Sequence, residues 1–294
     1  MSSVFFDDGF VLDHVDFDTT RKAGWVAESL LADPVPNTEL CAPSPMYLRR
    51  ALADVHTLAY MNAVVEGESI AGSNWFPPKA EVVYNWASSH VGGMMSAVAE
   101  CLVDDGNHGT LSSGFHHAKP NSGNGYCTFN GLAVAAGRAV RVLREVDGVD
   151  PCVAILDVDA HMGGGTHACV GSYPNIVLAD VSTNSFDLWH PSADRHRIWF
   201  ADADTYLDQV ETACRFVIAQ DPSVVLYNAG MDPYDDGVPA DVLRRREELV
   251  AGMMADAKIP VAWCLAGGYT DQLSRDELVG LHRHTIEAFS MEGI

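Results

Sequence analysis

Apolar residues recur along this chain in two rhythms. From about residue 80 onward, short runs that are apolar at nearly every position alternate with longer stretches whose apolar residues fall three and four apart. The segments "CVAILDV" (152–158), "NIVLADV" (175–181), "SVVLYNAG" (223–230) and "PVAWCLAGG" (260–268) are of the first kind and read as strands. "SHVGGMMSAVAECLVDDG" (89–106) and "FNGLAVAAGRAVRVLREV" (129–146) have helical spacing, and further helices are predicted near 203–220, 241–257 and 277–291. A strand apolar throughout is buried on both faces, and a helix between successive strands implies parallel pairing. The pattern predicts a single α/β domain over residues 1–294, with a mainly parallel sheet between two helical layers. No internal repeat, low-complexity tract or linker divides it.

Polar residues interrupt this pattern where the predicted strands end, and ligands of such sheets bind beyond the carboxyl ends of the strands. In "ILDVDAHMGGGT" (155–166) an apolar strand runs into Asp157, Asp159 and His161 on alternate positions, then into glycine. Strand alternation puts those three side chains on one face, where a cation would satisfy them. Asp232, in "YNAGMD", lies 71 residues after His161 at an equivalent strand end and offers a third ligand beside Asp159 and His161. Three protein ligands leave room for water and substrate, as in catalytic zinc sites. The triplet alone is also common in caps and turns. "SGFHHAKPNSGNGYC" (113–127) adds adjacent histidines, His116 and His117, a pairing suited to proton transfer. In "LAGGYT", Gly267 and Gly268 allow a close backbone approach, and the Tyr269 phenol could donate to a developing oxyanion.

Composition narrows the function classes. Hydrophobic residues make up 48% of the 294 positions, enough for a full core. No run of about 18 apolar residues would span a membrane. The N-terminus lacks the basic start of a signal peptide. Seven cysteines without paired spacing suit reduced thiols, so a cytoplasmic location is expected. Forty acidic against 18 basic residues give a net charge of −22, which argues against direct binding to nucleic acid. The acidity fits either a solvated, salt-adapted surface or attraction of cationic substrates such as basic peptides or polyamines. The oligomeric state is not legible.

Taken together, "GFHHAK", "GYCTFN", "DVDAHMGGGT", "NAGMD" and "LAGGY" resemble the zinc-dependent histone deacetylase family, which includes acetylpolyamine amidohydrolases. The resemblance runs in order from about residue 85 to the C-terminus; the N-terminal third lacks the family's frequent His-Pro-Glu element. "DVDAH", "LADVSTN" and "YNAGMD" are most similar to class IV members, several of which favour long acyl groups. The resemblance implies an arginase/deacetylase-like fold and one catalytic zinc on Asp159, His161 and Asp232. It implies His117 as general base, with His116 its neighbour tuned by Asp157. Asp157 and Asp180 would help hold a structural potassium ion, although many relatives carry serine at the latter position. Gly125 and Tyr126, with Gly267 and Gly268, would line the acyl-lysine channel; core packing is the alternative for the Tyr126 ring.

Two departures from the family pattern stand out. Met162 replaces a common second histidine, and Gly164 replaces the Asp or Asn that usually orients the base. His117 is therefore expected to lack its customary support, and Gly164→Asn to move the acid limb of the rate profile upward. The implied activity is removal of acetyl or longer acyl groups from the ε-amine of lysine in peptides or proteins. Deacetylation of acetylpolyamines and acyl-lysine binding without turnover are the alternatives. A dimanganese ureohydrolase shares the fold but wants D-x-H-x-D, and position 163 is glycine.

Overall fold

The computed structural model describes residues 1–12, 15–44, 48–67, 80–148, 150–191 and 194–291. In chain order the first half comprises β1 (Ser2–Phe5), α1 (Lys22–Ala32), β2 (Thr38–Cys41), α2 (Leu48–Ala53), α3 (Leu58–Glu66), α4 (Ala80–Asp104), β3 (His108–Ser113) and α5 (Gly131–Asp147). The second half comprises β4 (Val153–Asp157), α6 (Gly164–Val170), β5 (Ile176–Ser182), β6 (His196–Phe200), α7 (Tyr206–Ile218), β7 (Val224–Gly230), α8 (Ala240–Ala257), β8 (Val261–Ala266) and α9 (Arg275–Ser290).

The eight strands form one sheet in the order β2-β1-β3-β8-β7-β4-β5-β6, with every pairing parallel. The central strands are buried along their whole length, as their unbroken apolar runs require. Alternate side chains feed two separate cores. Ile155, Leu178, Leu226 and Cys264 pack into one layer with residues of α4 and α5. Leu156, Val177, Tyr227 and Trp263 pack into the other with residues of α1, α7, α8 and α9. The result is the three-layer α/β/α arrangement expected from the sequence.

The predicted strands and helices after residue 80 all occur, with small shifts at their ends except in α4, which starts at Ala80 rather than at 89. Two shifts bear on function. β4 stops at Asp157, so Asp159 and His161 lie in the turn beyond it rather than on the strand. β8 stops at Ala266, leaving Gly267 and Gly268 outside the sheet. The glycine run is not loose either, because α6 begins at Gly164.

Candidate active site

The predicted zinc ligands, the histidine pair and Tyr269 each follow a strand end, and the strands concerned, β3, β8, β7 and β4, are consecutive in the sheet. His116 and His117 follow β3, Tyr269 follows β8, Asp232 follows β7, and Asp159 and His161 follow β4. All six line one cavity of about 380 Å³, whose walls also include Phe17, Tyr126 and Phe186. Glycines bring these loops into contact. A Cβ on Gly267 would lie 2.2 Å from Asp232 Oδ1, and one on Gly230 2.5 Å from Asp159 Cα. Gly267 and Gly268 also adopt φ of +46° and +78°, a region that favours glycine. Lys22, buried in α1, donates to the Gly267 carbonyl. Burial lowers its pKa to about 8, against the pull of Asp232, Asp159 and Asp18.

Asp159, His161 and Asp232 offer ligand atoms that all lie within 4.8 Å of one another. His161 Nδ1 is 2.9 Å from Asp232 Oδ2 and 3.2 Å from Asp159 Oδ1. Burial and the neighbouring Asp159 carboxylate push Asp232 upward, because two charges of one sign face each other away from water. Burial opposes a charge on His161, yet the same two carboxylates outweigh it and raise its pKa to about 11. That attraction for positive charge, with two oxygens and one imidazole nitrogen as donors, fits a zinc ion that would displace the proton.

The two histidines have opposite surroundings. His116 Nδ1 is 2.7 Å from Asp157 Oδ2, the pairing expected from the resemblance, and Nε2 is 3.5 Å from Asp159 Oδ1. Burial disfavours its charge, but Asp157, Asp159 and Asp180 raise its pKa to about 10. His117 is lowered to about 4, first by burial and then by the charge of His116.

The expectation that His117 lacks an orienting partner is overturned. Asp187, in the loop after β5, places Oδ2 3.1 Å from His117 Nδ1. An ionised carboxylate only accepts, so Nδ1 carries the proton and Nε2 is left free. The companion expectation for Gly164→Asn falls with it. A Cβ at Gly164 would lie 2.2 Å from the Asp187 backbone oxygen and 2.7 Å from its Cγ. No composition or spacing signal links Asp187 to a histidine 70 residues earlier; its one trace is an aspartate on a loop beyond a strand end.

Asp157 and Asp180 are register partners on β4 and β5. Asp157 Oδ1 accepts from Asn228 at 2.8 Å. Asp180 accepts from Ser182, Trp189 and the Gly163 amide, at 2.6, 2.7 and 2.8 Å. Burial and the charge of Asp157 raise the Asp180 pKa to about 7. Gly125 and Tyr126 lie on the cavity wall, both at positive φ, and a Cβ on Gly125 would strike the His117 ring. Tyr126 packs its ring 4.4 Å from that of Phe17. Behind the site, the buried Arg246 donates to the Gly230 carbonyl at 2.6 Å and to the Tyr206 hydroxyl at 3.0 Å. That hydroxyl donates to Val158 at 2.6 Å, so α7 and α8 tie the ends of β4 and β7 together.

The histone deacetylase domain matches residues 18–280 of this chain. The chain belongs to that family. It is a hydrolase acting on amides, in a family typically dependent on zinc. An uncharacterized protein of Picosynechococcus sp. is 26% identical over 282 residues, covering 87% of this chain and 86% of its own. Histone deacetylase 2 of Arabidopsis thaliana is 23% identical over 296 residues, covering 92% of this chain and 70% of its own. The fold of this deacetylase domain is that of the acetylpolyamine aminohydrolase from Burkholderia pseudomallei. The TM-score is 0.77 at 16% identity, with 99% of both chains covered. Among the described residues, no helix is long and apolar enough to cross a membrane.

Proposed function

We propose that this deacetylase removes acyl groups from the ε-amine of lysine in peptides or proteins, with one zinc ion on Asp159, His161 and Asp232. The observation that carries the reading is the meeting of that ligand trio, the histidine pair and Tyr269 in one aromatic-walled cavity. A dication held by the trio would polarise the amide carbonyl and acidify a water. His117, neutral and with Nε2 free, takes the proton of the attacking water. Tyr269 supplies a hydrogen bond to the oxyanion. Burial and the charges of Asp232 and Asp159 push its phenol well up, which keeps the proton available. His116, held positive by its carboxylates, returns a proton to the departing amine. The opposed pKa shifts of the two histidines are what an acid and a base require. Gly125, Tyr126 and Gly267 wall the channel for the alkyl stem, in the same reading; Gly268, expected to join them, faces Leu278 and Met231 instead. A potassium ion at the Asp157–Asp180 pair belongs to it too, since two buried carboxylates in register call for a cation.

A second substrate class, acetylated polyamines, is favoured by the net charge of −22 and by the function in the name of the structural neighbour. Acyl-lysine binding without turnover is disfavoured by the full complement of ligand, base and phenol. One screen separates these readings. The zinc-loaded protein is assayed against acetyl-, lactyl-, octanoyl- and myristoyl-lysine peptides and acetylated polyamines. Hydrolysis of a lysine peptide is the expected result, lost with the zinc in Asp159→Ala, His161→Ala and Asp232→Ala. Stoichiometric zinc with no hydrolysis of any substrate would leave a binding module.

A further inference from the structure

Gly164 and Asp187 face each other across the space beside His117, and only one of them can fill it. The carboxylate of Asp187 is 5% exposed and fully engaged. Its Oδ2 accepts from His117 Nδ1 and from the Gly165 amide, each at 3.1 Å, and its Oδ1 lies 2.9 Å from Lys119 Nζ. The loop delivers it through a left-handed turn, with Asp187 at φ +58°, a conformation aspartate tolerates better than most residues. Backbone bonds hold that loop against the start of α6: Met162 donates to the Phe186 carbonyl at 3.1 Å. The chain thus reaches the base from a direction that a residue at 164 would block, since any Cβ there meets the 187 carbonyl.

We propose that Asp187 is the positioning residue for His117, fixing the Nδ1–H tautomer and aiming Nε2 at the cavity. This rests on the reading of His117 as the base. Lys119 supports the arrangement by keeping the carboxylate ionised: burial raises the Asp187 pKa, and the bonds from His117 and Lys119 more than reverse this. The adjacent residue, Phe186, stands edge-on to the rings of His117 and His161 at 5.0 and 5.7 Å. One short loop therefore sets both the direction of the base and a wall of the channel.

The test begins with ¹⁵N NMR of the zinc-loaded wild-type protein, in which the His117 signals are assigned by their loss in His117→Ala. A neutral imidazole with its proton on Nδ1 is expected; a proton on Nε2 overturns the proposal without any variant at 187. Asp187→Ala is expected to lower kcat about 10- to 100-fold with KM and zinc content little changed. Asp187→Asn, which keeps an acceptor of the same shape, is expected to recover part of that loss. Wild-type kcat in a folded Asp187→Ala overturns the proposal. If His117→Ala turns over normally, the base reading itself is wrong, a failure distinct from normal kcat in Asp187→Ala beside an inactive His117→Ala.

Discussion

The ring of Tyr269 packs on Phe17 with centroids 5.7 Å apart, so its packing and its hydroxyl can be separated by one substitution. Tyr269→Phe keeps the first and deletes the second; kcat should fall by about 10²–10³ with zinc content and Tm unchanged. A kcat within about threefold of wild type would assign the oxyanion to another donor. Gly164 behaves differently, because its neighbour is backbone. Gly164→Asn should lower Tm by several degrees and lose activity through displacement of Asp187, rather than shift a pH limb. Thermal melting and zinc content distinguish the two outcomes. At this scale the sequence displayed Asp159, His161, Asp232, the histidine pair and Tyr269, since each stands out against an apolar strand or a glycine turn. It hid Asp187 and Lys22. Both are ordinary charged residues whose partners are distant in the chain, and only folding pairs them.

Among the elements, α5 is joined to the histidine loop by the Asn130 side chain and by the Gly131 and Leu132 amides, which donate to the Gly114 carbonyl. Asn130 caps the helix by accepting from Ala133 at 2.9 Å. Its amide donates to the carbonyls of His116 and Ala118 at 3.3 and 3.1 Å. Asn130→Ala removes the cap and one donor from each carbonyl, leaving Thr166 on His116 and Cys169 on Ala118, at a cost of about 1–2 kcal/mol. Because the freed loop carries the base, kcat should fall as well. Denaturant unfolding and turnover measured on one preparation check both; loss of stability at full kcat would show that the loop holds its shape unaided. Elements with continuous apolar runs or clear helical spacing were legible, and β4, β5, β7 and β8 lie close to their expected bounds. β3 was not, because "HGTLSS" is buried at every position yet presents no apolar run. There Gly109 lies flat against the Trp263 ring, and the tryptophan of β8 fills the space that a side chain on β3 would otherwise take. β1, β2 and β6 are as short as β4 or shorter, and their sequences, SSVF, TELC and HRIWF, lack the continuous apolar run that declares β4.

For the molecule as a whole, acid is the informative stress. His56 is buried, with Nδ1 3.0 Å from the Lys119 carbonyl and Nε2 accepting from the Asn130 backbone N–H at 3.0 Å. Burial lowers its pKa to about 4 from the ordinary 6.5. Between those values the unfolded chain holds a proton that the folded chain refuses, so stability falls as pH falls from 6.5 toward 4. The contribution is roughly 3 kcal/mol. His56→Gln should flatten this part of the curve relative to wild type; parallel curves in denaturant titrations at pH 7 and 4.5 would show that His56 is not the group involved. The sheet order has a consequence for how the chain is built. Among the described residues β8 is the last strand in sequence, yet it lies between β3 and β7, and no other described strand joins the two sides. Until it docks, β2-β1-β3 and β7-β4-β5-β6 are two half-sheets, each with an open, unpaired edge where β8 will pair. During synthesis the β3 edge, complete at Ser113, waits until β8 begins at Val261, an interval open to misassociation in which a chaperone that shields strand edges would act.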